Sequence, residues 1–124
     1  MESHELARTV ARLILEKKGT DIYIMDLREL TSITDYFVIC SAESDIQVKA
    51  IKEHITDELV HQAIKPWHVE GEQAMHWVLL DFVDVVVHIF QPETRDFYSL
   101  ERLWGDAKIE EVKDEDETAG IHSQ

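Results

Sequence analysis

The chain has 124 residues, 44% hydrophobic and 31% charged, with a formal net charge of −14. That length supports one domain with one core. No run approaches the roughly 18 apolar residues of a membrane span, and no Lys/Arg cluster is present to neutralise phosphates, which disfavours direct nucleic-acid binding. The acidic balance suits solubility or a basic protein partner. Cys40 is the single cysteine, inside an apolar run, so an internal disulfide is excluded and a buried thiol in a reducing cytosol is expected. The acidic start of the chain lacks the basic-then-apolar design of a secretory signal.

Residues 3 to 18 read as an amphipathic helix. Leu6, Val10, Leu13 and Ile14 recur at helical spacing beside Ala7 and Ala11. Ser3 is the expected N-cap and Gly19 the expected left-handed residue after the C-terminus. Ile22 to Leu27 reads as a strand, and Tyr36 to Cys40, apolar throughout, as a central buried one. Ser44 and Gln47 form an S-x-x-Q capping box for a long helix to about Ile64, with Val48, Ile51, Ile55 and Leu59 as its stripe and Pro66 as its stop. Trp67 to Gly71 suits a short edge strand.

Residues 76 to 90 hold two apolar runs rich in Val and aromatics, flanking a break bounded by Asp81 and Asp84. They read as a β-hairpin whose antiparallel pairing brings Trp77 near His88. Pro92 starts a last helix with Phe97, Leu100, Leu103 and Trp104 as its stripe and Gly105 at its end. The domain is assigned to residues 1–107. Residues 108–124, with six acids and two lysines, are assigned to an acidic tail, mobile beyond about Val112. The order α-β-β-α-(β)-β-β-α specifies an α/β or α+β domain, a mixed sheet flanked by helices.

The chemistry-bearing residues have weak patterns. His54 and His61 share a helix face two turns apart, and no Cys/His pair has zinc spacing, so no metal site is assigned. Asp35, Asp81 and Asp84 could hold magnesium in a nucleotidyltransferase, but the Gly-rich cradle for a triphosphate is missing. Asp81 and Asp84 are better read as residues capping a tight turn. Trp77, Phe97, Tyr98 and Trp104 remain, as core residues or as aromatic anchors inside an acidic rim.

Five segments occur together in order. They are Ser32-Ile33-Thr34-Asp35-Tyr36, Val69-Glu70-Gly71-Glu72, Trp77-Val78-Leu79-Leu80-Asp81, Asp84-Val85-Val86-Val87-His88, and Arg95-x-x-Tyr98-x-Leu100-Glu101-x-Leu103-Trp104-x-Asp106. Over residues 3 to 107 this pattern resembles the ribosomal silencing factor, or Iojap, family. The resemblance implies a nucleotidyltransferase-like fold without catalytic residues, and a cytoplasmic factor that is not an enzyme and needs no cofactor. It implies binding to the large ribosomal subunit through large-subunit ribosomal protein fourteen. Small-subunit joining is thereby blocked and translation repressed when nutrients are scarce. A homodimer is implied for the free protein. Carried over by motif, Trp77 and Tyr98 are the aromatic contacts, and Glu70, Asp81 and Asp84 the acidic surround. His88 is a motif residue without an assigned role. Where the family commonly has glycine before the second turn aspartate, this chain has Val83. A β-branched residue resists positive φ, so the turn is of another type here or is strained.

Overall fold

The order of elements follows from where the chain can bury an apolar stripe. The structure, a computed structural model, describes residues 1–114. Helix α1 (Ser3–Glu16) leads to β1 (Thr20–Asp26) and β2 (Tyr36–Ser41), followed by α2 (Asp45–Val60). Next come β3 (His68–Glu70) and the hairpin β4 (Trp77–Asp81) and β5 (Val85–Phe90). Two short helices, α3 (Pro92–Tyr98) and α4 (Leu100–Leu103), precede β6 (Lys108–Val112). The six strands form one mixed sheet in the order β3-β4-β5-β2-β1-β6. Strands β2 and β5 run parallel at its centre, and the other pairings are antiparallel. The fold class is α+β.

Side chains alternate across this sheet. Ile22, Ile24, Val38, Cys40, Val78, Leu80, Val87 and Ile89 face one side, where the expected stripes of α1 and α2 cover them. Cys40 is fully buried there, and burial pushes its thiol up to about 12. It is therefore inert as a nucleophile at neutral pH.

The helix ends differ from expectation in instructive ways. Glu2 rather than Ser3 caps α1: its carboxylate accepts from the Glu5 amide at 2.9 Å. At the other end Lys18, not Gly19, takes the left-handed conformation (φ 67°). Lys18 N donates to Leu15 O and Gly19 N to Ile14 O, each at 3.0 Å, closing a Schellman motif. Gly19 is required for space instead, because a Cβ there would stand 2.3 Å from Ile14 Cγ2.

Helix α2 starts as expected, with Ser44 Oγ accepting from Gln47 N at 3.1 Å. The Gln47 amide also donates to the carbonyls of Lys17 and Lys18, at 3.2 and 2.9 Å, and so ties α2 to the end of α1. Helix α2 stops at Val60, before the expected Ile64 and well ahead of Pro66. Ala63 turns left-handed (φ 61°) and a second Schellman pair closes on Leu59 and Val60.

Two expectations are corrected near the C-terminus. The last helix is not continuous to Gly105. Ser99 (φ 46°) breaks it into α3 and α4, so a stripe laid out for one axis does not stay on one face. Leu100 turns inward, whereas Phe97 and Leu103 are left 81% and 71% exposed. The domain also does not stop at residue 107. Residues 108–112, placed in the tail by composition, form β6 and pair antiparallel with β1 from Asp26↔Lys108 to Ile22↔Val112. Strand β6 is anchored to α1 by an ion pair between Arg8 and Glu110. Its side chains are mostly exposed, which is why hydropathy did not reveal it. The rest of the expected tail, residues 115–124, lies outside the described residues.

Candidate functional site

The opposite side of the sheet is only half covered. By register it carries Trp77, Leu79 and Asp81 on β4, Val86, His88 and Phe90 on β5, and Phe37, Ile39 and Ser41 on β2. Glu70 and His68 on the edge strand β3 align with Leu79 and Asp81. Helices α3 and α4 close one end, where Leu100 packs with Met25, Leu27, Ile39 and Phe90, and Trp104 joins from the rim.

Arg95 holds this small cover in place. Its Nη1 donates to Asp21 O at 2.7 Å and to Ser41 Oγ at 2.9 Å, and its Nε to Glu101 at 2.7 Å. The guanidinium also lies 5.0 Å from the Tyr23 ring centre. The Asp21 carbonyl is available because the β1–β2 register slips between Thr20 and Tyr23, with Asp21 at φ 48°. A buried arginine saturated in this way fixes the orientation of α3, and with it Tyr98.

Trp77 and Tyr98, expected to be partner contacts, do come together. Their ring centres lie 4.7 Å apart, and Trp77 stacks on Phe90 at 4.8 Å. With Phe97, Thr94 and His76 they line an open depression of about 570 Å³. His88, without a role in the sequence reading, now has one. Trp77 Nε1 donates to His88 Nδ1 at 3.1 Å, so Trp77 is held by its polar edge while its body borders the depression. Since Nδ1 accepts, the proton of the neutral ring sits on Nε2. That nitrogen is buried and has no hydrogen-bond partner among the described residues. His88 is 4% exposed, against Phe37 at 4.5 Å, and burial lowers its pKa to about 3. The imidazole therefore stays neutral across the physiological range.

The carboxylates expected around these rings are spread along the face instead. Glu70 is exposed on β3. Asp81 ends β4, about 13 Å along the strand from Trp77. Its Oδ1 accepts from Val83 N at 2.8 Å, the Asx-type cap expected for it. Asp84 is exposed, and its carbonyl accepts from Asp35 N and Tyr36 N, which staples the hairpin turn to β2. Val83 resolves the question raised by its β-branch. It sits at φ 76°, and Asp84 N donates to Phe82 O at 3.0 Å, so the turn is a γ-turn of the rarer, strained hand. Among the described residues no three His, Cys, Asp or Glu side chains are grouped to hold a metal ion.

A family model described as "Ribosomal silencing factor during starvation" matches residues 1–124. The chain belongs to the ribosomal silencing factor family. It is 37% identical over 112 residues to the ribosomal silencing factor RsfS of Bacillus subtilis, covering 90% of this chain and 95% of that one. It is 39% identical over 107 residues to the chloroplastic protein Iojap of Zea mays, covering 86% of this chain and 46% of that larger protein. The crystal structure of a Chromobacterium violaceum protein superposes with a TM-score of 0.82 at 32% identity, covering 92% of this chain and 95% of that one. The names in this ribosomal silencing family describe regulation of the ribosome rather than catalysis. No helix among the described residues is long and apolar enough to cross a membrane.

Within this family member, sequence reasoning found the aromatic pair but missed residues that give the face its shape. Phe37, Leu79 and Val86 lay in runs read as uniformly buried. Trp77 to Leu80 are four consecutive apolar residues, so β4 carries no alternation in sequence, and only the pairing of Leu79 with His88 shows which residues face this side.

Proposed function

We propose that this chain acts in the cytoplasm as a ribosomal silencing factor. Its half-covered sheet face docks on large-subunit ribosomal protein fourteen, so that the bound large subunit cannot join the small subunit and translation falls when nutrients are scarce. The observation that carries this reading is the Trp77–Tyr98 pair. Two rings 4.7 Å apart stand beside exposed Phe97 on an open apolar face, one of them pinned by His88. Pre-positioned aromatics of this kind supply interface hot spots, because little conformational freedom is lost on binding. The net charge of −14 steers the chain to a basic ribosomal protein while bare RNA repels it. In the free protein a second copy shields the same apolar face, giving a homodimer.

Sucrose-gradient sedimentation tests the reading. The chain is expected to co-migrate with large subunits and to reduce the joined ribosome peak. Trp77→Ala with Tyr98→Ala is expected to weaken this by at least about 2 kcal/mol, some thirtyfold. Wild-type binding by that double variant would remove the face from consideration. Higher salt is expected to slow association, because screening shortens the reach of the acidic field.

A further inference from the structure

Beyond Asp81, at the turn end of the same face, lies a second depression of about 310 Å³, lined by Ile33, Thr34, Trp67, Asp81, Val83 and Val86. It is distinct in place from the Trp77–Tyr98 depression, about 13 Å along β4. Three large apolar side chains converge on it while exposed: Ile33 by 84%, Trp67 by 77% and Val83 by 54%. Such a concentration marks an interaction surface more than a packing accident. Two further features mark this end of the face. Thr34 is buried at this depression, and its Oγ1 has no hydrogen-bond partner among the described residues. Val83 is held in a strained γ-turn, with its amide tied to Asp81, and its isopropyl group stands in solvent. Strain of this sort persists where the surrounding structure enforces it and collects at binding sites.

The chemistry of the walls selects the occupant. Aliphatic groups on Ile33, Val83 and Val86 suit a methylene stem. An exposed indole face on Trp67 suits a cation above it. Asp81 keeps a second carboxylate oxygen, and Asp84 stands exposed beside Val83. A planar guanidinium meets all of these at once, since it stacks on aromatic rings and forks onto carboxylates; an ammonium cannot stack. The chain's own Arg28 does not fill the role. It is committed to Asp26, through Nε at 2.9 Å and Nη2 at 2.8 Å.

We propose that this depression receives an arginine side chain from the protein partner, as a second anchor point beside the Trp77–Tyr98 pair. The proposal rests on the reading that the sheet face is the partner surface, and the test separates the two.

The full chain is titrated with N-acetyl-arginine methylamide, followed by ¹H–¹⁵N NMR, with the neutral citrulline analogue as the control. The largest shifts are expected at the Val83 amide and the Trp67 indole. Citrulline should bind several-fold more weakly, and Trp67→Ala should abolish the Val83 shift. Equal response to both probes, or shifts with no maximum at the turn, overturns the proposal. Large-subunit co-sedimentation is the second arm. Trp67→Ala and Asp84→Asn, both at exposed positions, are each expected to weaken binding about tenfold. If these variants bind normally while the Trp77/Tyr98 variant does not, the arginine site fails and the docking face stands. If neither set matters, the docking face fails, and the titration alone decides the arginine site. If Trp67→Ala disrupts only self-association, a second copy is the occupant and the proposal falls.

Discussion

The two faces of the sheet are built from the same strands and reach opposite ends. One is sealed by α1 and α2, whose stripes are apolar at every expected position, and its strand residues are almost entirely excluded from water. The other has only α3 and α4, eleven residues between Pro92 and Leu103 apart from Ser99, bolted down by one buried arginine. His88 with an unpartnered nitrogen and Val83 in a strained turn lie on the second face or its edge, near Thr34 with an unpartnered hydroxyl. The sealed face stabilises the fold. The half-open face leaves apolar surface exposed, at some expense of stability.

The largest contrast is expected from the sealed face. Ile51→Ala removes a fully buried side chain between α1, α2 and the sheet, and is expected to destabilise by about 2–5 kcal/mol in chemical denaturation. A small loss would mean that the helices are loosely packed and the contrast between the faces is false.

His88 gives the next effect, visible as pH dependence. Its folded pKa of about 3 lies below the unfolded value of 6.5, so between these the unfolded chain binds the extra proton. Stability from this residue is therefore complete above about pH 6.5 and declines as pH falls toward about 3, by up to about 1.4 kcal/mol per pH unit. His88→Phe is expected to flatten the slope by one proton. An unchanged slope would show that His88 is not buried as a neutral ring.

Val83→Gly sharpens the comparison from the other side. Positive φ costs a β-branched residue about 1–3 kcal/mol, and glycine adds less than that in unfolded-state entropy. A net gain of up to about 1 kcal/mol is expected at the midpoint of urea unfolding. Destabilisation would mean that the isopropyl group packs on the fold rather than facing solvent.

The smallest effect is expected from Phe97→Ser with Leu103→Ser. Both side chains are largely exposed, so stability should change within about 0.5 kcal/mol. A loss of several times that would place them in a core.

The sheet, the two long helices and the hairpin were legible because each is specified locally. Continuous apolar runs name β2, β4 and β5 as buried strands, a period of 3.6 names the buried faces of α1 and α2, and Ser44 announces its own cap. The breaks were not legible. Lys18, Ala63 and Ser99 all take left-handed turns that glycine would have signalled, each closed by local backbone hydrogen bonds to the preceding helix. Strand β6 was hidden for the opposite reason. An edge strand of charged residues gains its order from hydrogen bonds to β1 and an ion pair to α1, and neither leaves an apolar pattern.

The candidate site divides in the same way. That Trp77, Tyr98 and the turn aspartates belong to one family pattern was readable in the residues themselves. The anomaly of Val83 came from the resemblance, because the family commonly has glycine at that position. Only the tertiary structure decided that Trp77 is pinned by a buried neutral His88, that Arg95 fixes the helix carrying Tyr98, and that Ile33, Trp67 and Val83, up to fifty residues apart in the chain, meet in one depression. Local sequence carries propensity and periodicity. Contacts between distant segments depend on register and helix placement, which are set by how the whole core closes.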